Sequence, residues 1–469
     1  MSLFDALSSA TASLRTIQAN VKVVSDNVAR ANDPNRTRHT LQQMVDRSGF
    51  VVTAEYRREM DAGLRGQVED LIAREGASAV RSEYMTKLGD VFRTTSGKPL
   101  LDTYADNFAA AWRTLEASPE DEVAKYQLVQ SANTFAREIR RVSEGVEALD
   151  REMKDDLGTS LKDVNDMLAQ VDRINDDIVS LRSYGDAANE AADKRDALIQ
   201  KISEYVGVRR VERPDGRVAL FTSSGFALVD AEPANLTFDG GKINLTVGNN
   251  RYDITDHLQQ GKLGALYNMR KDGSLTDPPT PASADPATEV IRKLRSQLDA
   301  YAGMFVAKTK DGEATSFADA YNSAQPVAEG ELNAQFFTGT DRFTIAVNER
   351  LLTGELKLKD SATKSVVVAM NAVGRTLTAD GLTATDTSYS GMAHAITGQL
   401  MQASKTVADR HTFDKEAKEQ LVERYQGQTG VNIDEEIAQL QQLQTSYAAS
   451  ARVMQVTNSM FDALERIVS

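Results

Sequence analysis

The chain has 469 residues, which is enough for several domains of about 100–200 residues each. Its formal net charge of −14, from 54 basic and 68 acidic residues, argues against nucleic acid or an anionic membrane as its main partner. It has no cysteine, which excludes disulfides, thiolate nucleophiles and Cys-ligated metals. Because the N-terminus lacks a basic segment and a continuous apolar segment, and the apolar runs are short, we expect no cleaved signal peptide and no membrane insertion.

The N-terminal segment has the 4-3 spacing of apolar residues that is typical of a helix paired lengthwise with another helix. Ser2 can cap its first turn, and Asn32-Asp33-Pro34 ends it. The stripe consists of Leu3, Leu7, Ala10, Leu14, Ile17, Val21, Val24, Val28 and Ala31. A helix cannot bury such a stripe alone, so we predict that this one pairs with a partner helix.

Helical periodicity returns after a polar stretch over 35–65, which contains a strand-like patch around 50–52. The elements predicted next are a helix over 67–93, a loop over 94–99, a helix closed by Ser118-Pro119, a long helix over 120–182 and a shorter one over 187–206. The long segment is typical of a rod of antiparallel helices packed lengthwise.

At Gly207 the apolar period changes from that of a helix to that of a strand. Pro214-Asp215-Gly216 lies between two apolar runs and predicts a hairpin, and further short strands are predicted up to residue 254. Four of the ten prolines fall within 278–286 and predict a stiff connector. The elements predicted after it are a helix over 287–307, a mixed β segment over 335–370 and a helix over 389–426.

The C-terminal segment from Asn432 repeats the 4-3 spacing, with polar interruptions that can fix register. Its stripe consists of Ile433, Ile437, Leu440, Gln444, Tyr447, Ala451, Met454, Asn458, Phe461, Glu465 and Val468. A second apolar line beside it consists of Leu443, Val453, Val456, Met460, Leu464 and Ile467. One partner helix cannot cover both lines, so we predict that the two terminal helices form an assembly interface.

The predicted fold class is predominantly α with inserted β. We expect a coiled-coil inner domain from 1–65 with 430–469, and a mainly helical rod domain with a mixed β segment from 66–206 with 287–429. The remaining part, 207–286, is expected to form an inserted β-domain followed by the proline-rich connector.

Side chains suited to catalysis or metal binding are present but not clustered in sequence. The four histidines, His39, His257, His394 and His411, have no paired spacing, so we assign them surface or packing roles. An S-x-x-K match at Ser361 lacks the other elements that such enzymes carry. We therefore predict no catalytic site, no metal and no cofactor.

Five sequence blocks resemble one family. Residues 27–38, NVARANDPNRTR, resemble the N-N-I-A-N-A-N-T-P-G-Y-S-R signature of bacterial flagellar axial proteins, with substitutions at Arg30, Asp33, Asn35 and Arg36. The C-terminal blocks TGVNIDEEIA and QTSYAASARV resemble S-G-V-N-L-D-E-E-M-A and Q-Q-A-Y-Q-A-S-A-R-V, which are typical of the hook-associated members at the hook–filament junction. Two internal blocks, DKRDAL at 193–198 and FFTG at 336–339, also resemble this family.

This resemblance implies a structural subunit whose terminal helices pair in an inner-tube domain. It also implies assembly as a ring-like homo-oligomer on the distal end of the hook. The implied partners are the hook protein, the second junction protein and an export chaperone that binds near the C-terminus. The family leaves the cell through the flagellar type III channel without a cleaved signal, so the expected location is extracellular.

Two other interpretations are compatible with the terminal stripes. The chain could be a different flagellar axial protein, namely the second junction protein, the hook protein or a rod protein. It could instead be a cytoplasmic coiled-coil adaptor whose termini bind signalling partners. An enzyme is the weakest hypothesis, since no acid–base or nucleophile pair supports it.

Overall fold

A computed structural model of the protein describes residues 3–45, 51–93, 101–181, 186–271, 285–323 and 335–468. The predicted loop over 94–99 and the prolines before residue 285 lie outside these ranges. The chain forms two compact units, which we name the terminal unit and the central unit. The terminal unit comprises Met1–Gly76, Ser160–Lys262 and Asp414–Ser469, and the central unit comprises Ala77–Thr159 and Leu263–Phe413. The three-domain division expected from the sequence stays a prediction.

Helices dominate the described ranges. They are α1 (Leu3–Ala29), α2 (Ala62–Val91), α3 (Leu101–Ala117), α4 (Glu122–Leu181), α5 (Ala187–Tyr205), α6 (Gly261–Arg270), α7 (Val290–Met304), α8 (Phe317–Asn322), α9 (Glu349–Leu352), α10 (Thr363–Asn371), α11 (Tyr389–Thr429) and α12 (Ile433–Val468). Two short 3₁₀ turns occupy Thr255–His257 and Asp360–Ala362.

The strands of the described ranges form small antiparallel sheets. They are β1 (His39–Val45), β2 (Val51–Arg58), β3 (Val208–Glu212), β4 (Val218–Thr222), β5 (Ala227–Val229), β6 (Asn235–Asp239), β7 (Lys242–Val247), β8 (Asn250–Asp253), β9 (Phe337–Thr338), β10 (Ala346–Val347), β11 (Arg375–Ala379) and β12 (Leu382–Thr387). They pair as β1-β2, β3-β4-β5, β6-β7-β8, β9-β10 and β11-β12. The predicted class, predominantly α with inserted β, is confirmed.

Several local predictions need correction. The predicted strand patch is one arm of a hairpin, and its other arm is β1, which was not predicted. The sequence also did not predict α6 or the β11–β12 hairpin. The mixed β segment contains the helix α10. In α10, Val366, Val367, Ala369 and Met370 are buried while Val368 is 61% exposed. That pattern has the period of a helix, whereas a strand would bury alternate residues.

In the terminal unit, two asparagines of α4 attach the helix to the inserted sheets. Asn165 donates to the carbonyl of Leu236 on β6 at 2.9 Å and accepts from its N–H at 2.8 Å. Asn175 does the same with Val218 on β4, at 2.9 and 3.0 Å. Each side-chain amide therefore acts as one residue of a neighbouring strand and satisfies a backbone pair that would otherwise be unpaired.

The apolar core of the terminal unit includes a contact between α2 and α11. Its buried members are Leu64, Val68, Ile72 and Tyr425. The first three recur at helical spacing on one face of α2, and Tyr425 comes from the last turns of α11. The helical spacing of these apolar residues therefore forms the packing surface of α2.

In the central unit, the core is aromatic. The ring of Phe108 on α3 lies within 6.4 Å, centroid to centroid, of both Trp112 and Phe305, and it stacks on Phe135 at 5.6 Å. Further rings that join the same cluster are Tyr301, Phe317, Tyr321, Phe336, Phe337 and Tyr389. Phe336 and Phe337, the two phenylalanines of the FFTG block at 336–339, are both buried in this cluster.

We expect Phe108→Ala to lower the free energy of unfolding by about 3–5 kcal/mol, because it leaves a cavity among tightly packed rings. Urea unfolding followed by tryptophan fluorescence measures this directly, since Trp112 is the chain's single tryptophan and lies in the cluster. The control is Tyr126→Ala, since Tyr126 is 65% exposed. Equal effects of the two substitutions would contradict the proposed role of the cluster.

Candidate assembly surface

The two terminal helices α1 and α12 pack against each other within the terminal unit. The buried residues of α1 are Ala10, Thr16, Ile17, Asn20, Val23, Val24 and Asn27. The buried and half-buried residues of α12 are Glu436, Gln439, Leu440, Leu443, Ser450, Ala451, Met454, Thr457 and Phe461. Ser13 and Ser450 lie 3.4 Å apart, hydroxyl to hydroxyl, which marks the contact near the middle of α12.

The structure brings together only part of the predicted stripes. Of the predicted residues, Ile17 and Val24 are buried, and Leu7, Leu14, Val21, Val28, Leu440, Ala451, Met454 and Phe461 are half-buried. Those left exposed are Ile433, Ile437, Gln444, Tyr447 and Asn458. The side chains of Leu3 and Leu464 lie outside the described part of the structure.

At some positions of each helix, the residue that is buried precedes the predicted stripe residue by one. On α1, Asn20 and Asn27 are more deeply buried than the predicted Val21 and Val28. On α12, Thr457 is buried while its neighbour Asn458 is exposed. The 4-3 spacing is kept, but polar residues occupy half of the contact. Hydrophobicity alone therefore could not predict which face of each helix meets the other.

A buried carboxylate fixes the base of this helix pair. The Glu436 side chain is 1% exposed, and it accepts hydrogen bonds from Arg38 Nε at 2.7 Å and from Asn27 Nδ2 at 3.1 Å. Asn27 and Glu436 are 409 residues apart in sequence. We call Asn27, Arg38 and Glu436 the Glu436 cluster. Its position is set locally by Asn432, whose side chain accepts from Asp434 N at 3.0 Å in the first turn of α12.

The turn after α1 holds this cluster in place. Asn27 is completely buried, donates to the carbonyl of His39 at 2.8 Å and accepts from its N–H at 3.2 Å. The N–H of Arg38 donates to the carbonyl of Thr429 at 2.7 Å, at the end of α11. Hydrogen bonds of backbone and side-chain groups therefore join the end of α1 to the start of β1, and the start of β1 to the turn before α12.

Behind the cluster lies a network of buried charges on α5 and its neighbours. Asp193 accepts from Thr37 at 2.7 Å and from Arg58 at 2.8 Å. Asp196 accepts from Arg58 at 3.1 Å and from Arg210 at 2.9 Å. Although burial raises the pKa of Asp196, these two guanidinium groups together with those of Arg195 and Arg65 lower it to about 2. The DKRDAL block thus supplies carboxylates that bind a hydroxyl from the turn after α1 and guanidinium groups from β2 and β3.

Sequence reasoning listed none of these residues as site residues. It gave His39 a surface or packing role, whereas the structure places two aspartates, Asp186 and Asp193, against its ring. Asn27, Arg38 and Glu436 all lie in the quoted family blocks, which was the available signal. Across the described residues, no group of three or more His, Cys, Asp or Glu side chains is placed to hold a metal ion.

The rest of α12 has a surface unlike that of a solvated helix. Its exposed apolar side chains are Ile433, Ile437, Tyr447, Val453, Val456 and Met460, each between 42% and 57% exposed. Between residues 437 and 461, Arg452 is the single charged residue, although 26% of the whole chain is charged. Depletion of charge together with exposed apolar side chains is typical of a protein interface.

A groove of about 420 Å³ lies beside the α1–α12 contact. It is lined by Gln18, Val21, Gln444 and Tyr447, three of which belong to the predicted stripes. These stripe residues do not meet across the helix pair but border an open space. The helix pair therefore leaves these stripe residues uncovered.

Comparison with known proteins identifies relatives over the full length. The family model described as the flagellar hook-associated protein FlgK helical domain matches residues 85–326. A second model, the flagellar basal body rod FlgEFG protein C-terminal, matches residues 423–467. Flagellar hook-associated protein 1 of Escherichia coli (strain K12) is 24% identical and is aligned over 98% of this chain and 99% of its own.

Two further similarities were found. Flagellar hook-associated protein 1 of Salmonella typhimurium (strain LT2) is 21% identical, aligned over 98% of this chain and 99% of its own. The solved structure of the flagellar hook junction protein FlgK from Burkholderia pseudomallei aligns with a TM-score of 0.45 and 20% identity, covering 58% of this chain and 46% of that one. In the described part of the present chain, none of the helices is long and apolar enough to traverse a membrane.

We expect Glu436→Gln to destabilise the terminal unit by about 1.5–3 kcal/mol, because it removes a hydrogen bond between charged groups and leaves Arg38 without its buried partner. Faster hydrogen exchange in the first turns of α12 would report the loss. The matched control is Glu435→Gln, since Glu435 is 59% exposed and lies 3.3 Å from the same guanidinium. An exposed pair contributes about 0–1 kcal/mol. If both substitutions accelerate exchange equally, the cluster does not fix the helix pair.

Proposed function

The chain belongs to the FlgK family of flagellar hook-associated proteins, and from this premise we propose that its terminal helices are the surface through which copies assemble into a ring at the distal end of the hook. As a member of this family it is a structural component of the bacterial flagellum at the hook–filament junction. The observation that carries the proposal is the charge-poor, partly apolar surface that α12 leaves exposed between residues 437 and 461.

The exposed side chains give the proposal its energetic basis. Full burial of a large apolar side chain contributes about 1.5–3 kcal/mol. Val453, Val456 and Met460 are each more than half exposed, so most of this contribution is available only when another molecule covers them. They lie on one segment of α12 together with half-buried residues that already contact α1. Neighbouring copies of the same helix pair fit this surface because they present the same uncharged composition.

We propose the remaining partners from the chain's membership of the family. We assign the hook protein and the second junction protein to the two ends of the ring, and an export chaperone to the C-terminal region before assembly. We further propose that the chain leaves the cell through the flagellar type III channel without a cleaved signal and is extracellular once assembled. Membership of the family itself supports interaction with other flagellar axial components.

The main rival is a different axial protein. The match over 423–467 is to a family described for rod proteins, so the C-terminal helix alone does not separate the junction from the rod or the hook. The match over 85–326 is described as hook-associated and includes α3 to α8, which favours the junction. Membership of the family argues against the cytoplasmic adaptor. Shearing of flagella tests this independently, because an adaptor stays with the cells.

We expect Val456→Glu to reduce assembly on hooks about tenfold or more, because a charge buried in the interface without a partner costs several kcal/mol. The measurement is immunogold labelling of the hook tips together with swimming in a strain that carries only the variant. Tyr126→Glu is the control, since Tyr126 is also exposed and apolar but belongs to α4. Normal hook-tip labelling with Val456→Glu would refute the assembly role of α12.

A cross-linking experiment tests contact between copies. Because the chain has no cysteine, a single Met460→Cys substitution introduces a unique thiol. Packed helices lie roughly 8–10 Å apart, within reach of a short bismaleimide. We expect purified hook–junction particles to give covalent dimers with Met460→Cys and monomers with Tyr126→Cys. Monomers from both variants would argue against neighbouring copies on this face.

A further inference from the structure

The ring of His39 lies between two carboxylates and has no contact with solvent. Its side chain is 0% exposed. Nδ1 is 2.6 Å from Asp186 Oδ2, and Nε2 is 2.9 Å from Asp193 Oδ2. An ionised carboxylate can only accept hydrogen bonds, so both ring nitrogens must donate. Only the imidazolium form has two N–H groups, and the geometry therefore requires a charged histidine.

We propose that His39 is a pH-dependent ionic lock, which fastens the β1–β2 hairpin and the end of α1 to α5 while it is protonated and releases them when its proton leaves. The lock consists of His39, Asp186 and Asp193. It is a property of the isolated chain and does not depend on the proposed role in the flagellum.

Two arginines also face the aspartates that flank His39. The turn after α1 contributes Arg36, whose guanidinium lies 3.7 Å from both Asp186 and Asp193. The hairpin contributes Arg58, which is shared between Asp193 and Asp196. Arg36 lies beyond hydrogen-bond distance of both aspartates, so loss of the ring proton removes the short ionic contact between His39 and Asp186.

Charged groups on the other neighbouring elements are already engaged. The cations that engage Asp196 from α2 and β3 are Arg65 and Arg210, and Arg30 pairs with Glu190 on α5. On α12, the carboxylate of Glu436 is bound by Arg38 and Asn27. These pairings leave the imidazolium as the group whose charge changes near neutral pH.

The lock is coupled to the terminal helix pair through one amide. Asn27 binds the N–H and the carbonyl of His39, and the same amide group donates to Glu436 on α12. A neutral imidazole would place a lone pair against one aspartate at hydrogen-bond distance, and that repulsion would shift the start of β1. Such a shift loosens Asn27 and, through it, the Glu436 cluster.

The direction of the pH dependence follows from the pKa of His39. Burial disfavours the charged ring, but the hydrogen bonds from the ring to Asp186 and Asp193 outweigh it and raise the pKa of His39 above its ordinary value of 6.5. A group whose folded-state pKa is raised stabilises the fold fully below its unfolded-state pKa. The contribution is lost as pH rises through the folded-state value. The terminal unit should therefore weaken from about neutral toward alkaline pH.

The direct test is NMR of the full chain labelled with ¹⁵N-histidine. His39 is assigned as the signal that disappears in His39→Gln, which is feasible because the chain has four histidines. We expect two protonated ring nitrogens at pH 6.5 and a titration midpoint above the ordinary value. A midpoint at or below 6.5, or a neutral tautomer at pH 6.5, would overturn the proposal.

A second measurement reports the consequence for stability. Urea unfolding of the wild type should show a midpoint that falls between pH 6.5 and 9 more steeply than that of His39→Gln. The matched control is His394→Gln, since His394 also faces two aspartates, at 3.0 and 3.2 Å, but its side chain is 53% exposed. It should keep the wild-type slope. Parallel profiles for wild type and His39→Gln would contradict the lock.

A milder variant keeps the test decisive if His39→Gln fails to fold. Asp186→Asn preserves the shape of the side chain and removes one of the two negative charges. It should lower the NMR midpoint of His39 relative to wild type, because the charged ring loses an ionic partner. An unchanged or higher midpoint in Asp186→Asn would show that this aspartate does not hold the ring in its charged form.

Discussion

The burial of the Glu436 carboxylate is the constraint on which the terminal unit depends. A charge removed from water is costly unless its hydrogen bonds are replaced, and here Arg38 and Asn27 replace them. Those two donors can reach Glu436 only when the end of α1, the turn that follows it and the start of α12 meet. The carboxylate therefore selects one axial position for two helices from opposite ends of the chain. The 4-3 spacing alone would allow neighbouring positions as well.

Charge and apolarity are segregated along α12. Its first turn carries Asp434, Glu435 and Glu436, and the last of these enters the buried cluster. The next 25 residues, 437–461, contain one charge, Arg452. Ionic interactions thus fix the base of the helix pair, where geometry must be unique. The segment 437–461 has the composition that is typical of a protein interface.

Periodicity predicted most of the helices because a helix of 3.6 residues per turn imposes it locally. The long helix expected over 120–182 is α4 (Glu122–Leu181), and the Pro214-Asp215-Gly216 turn lies between β3 and β4 as expected. The face of pairing was predicted less well, because Asn20, Asn27 and Thr457 are buried by tertiary hydrogen bonds and packing that hydrophobicity does not report. The environment of His39 could not be predicted at all, since Asp193 is 154 residues away in sequence.

The buried charge network contributes specificity more than stability. Replacing a whole buried ionic group by apolar residues of similar volume is often neutral or stabilising, whereas removing one partner is strongly destabilising. The free energy that stabilises the terminal unit is therefore better assigned to apolar clusters such as Leu64, Val68 and Ile72 against Tyr425. The network instead penalises every arrangement in which a cation or carboxylate is left unpaired. A helix pair displaced by one turn would leave such groups unpaired.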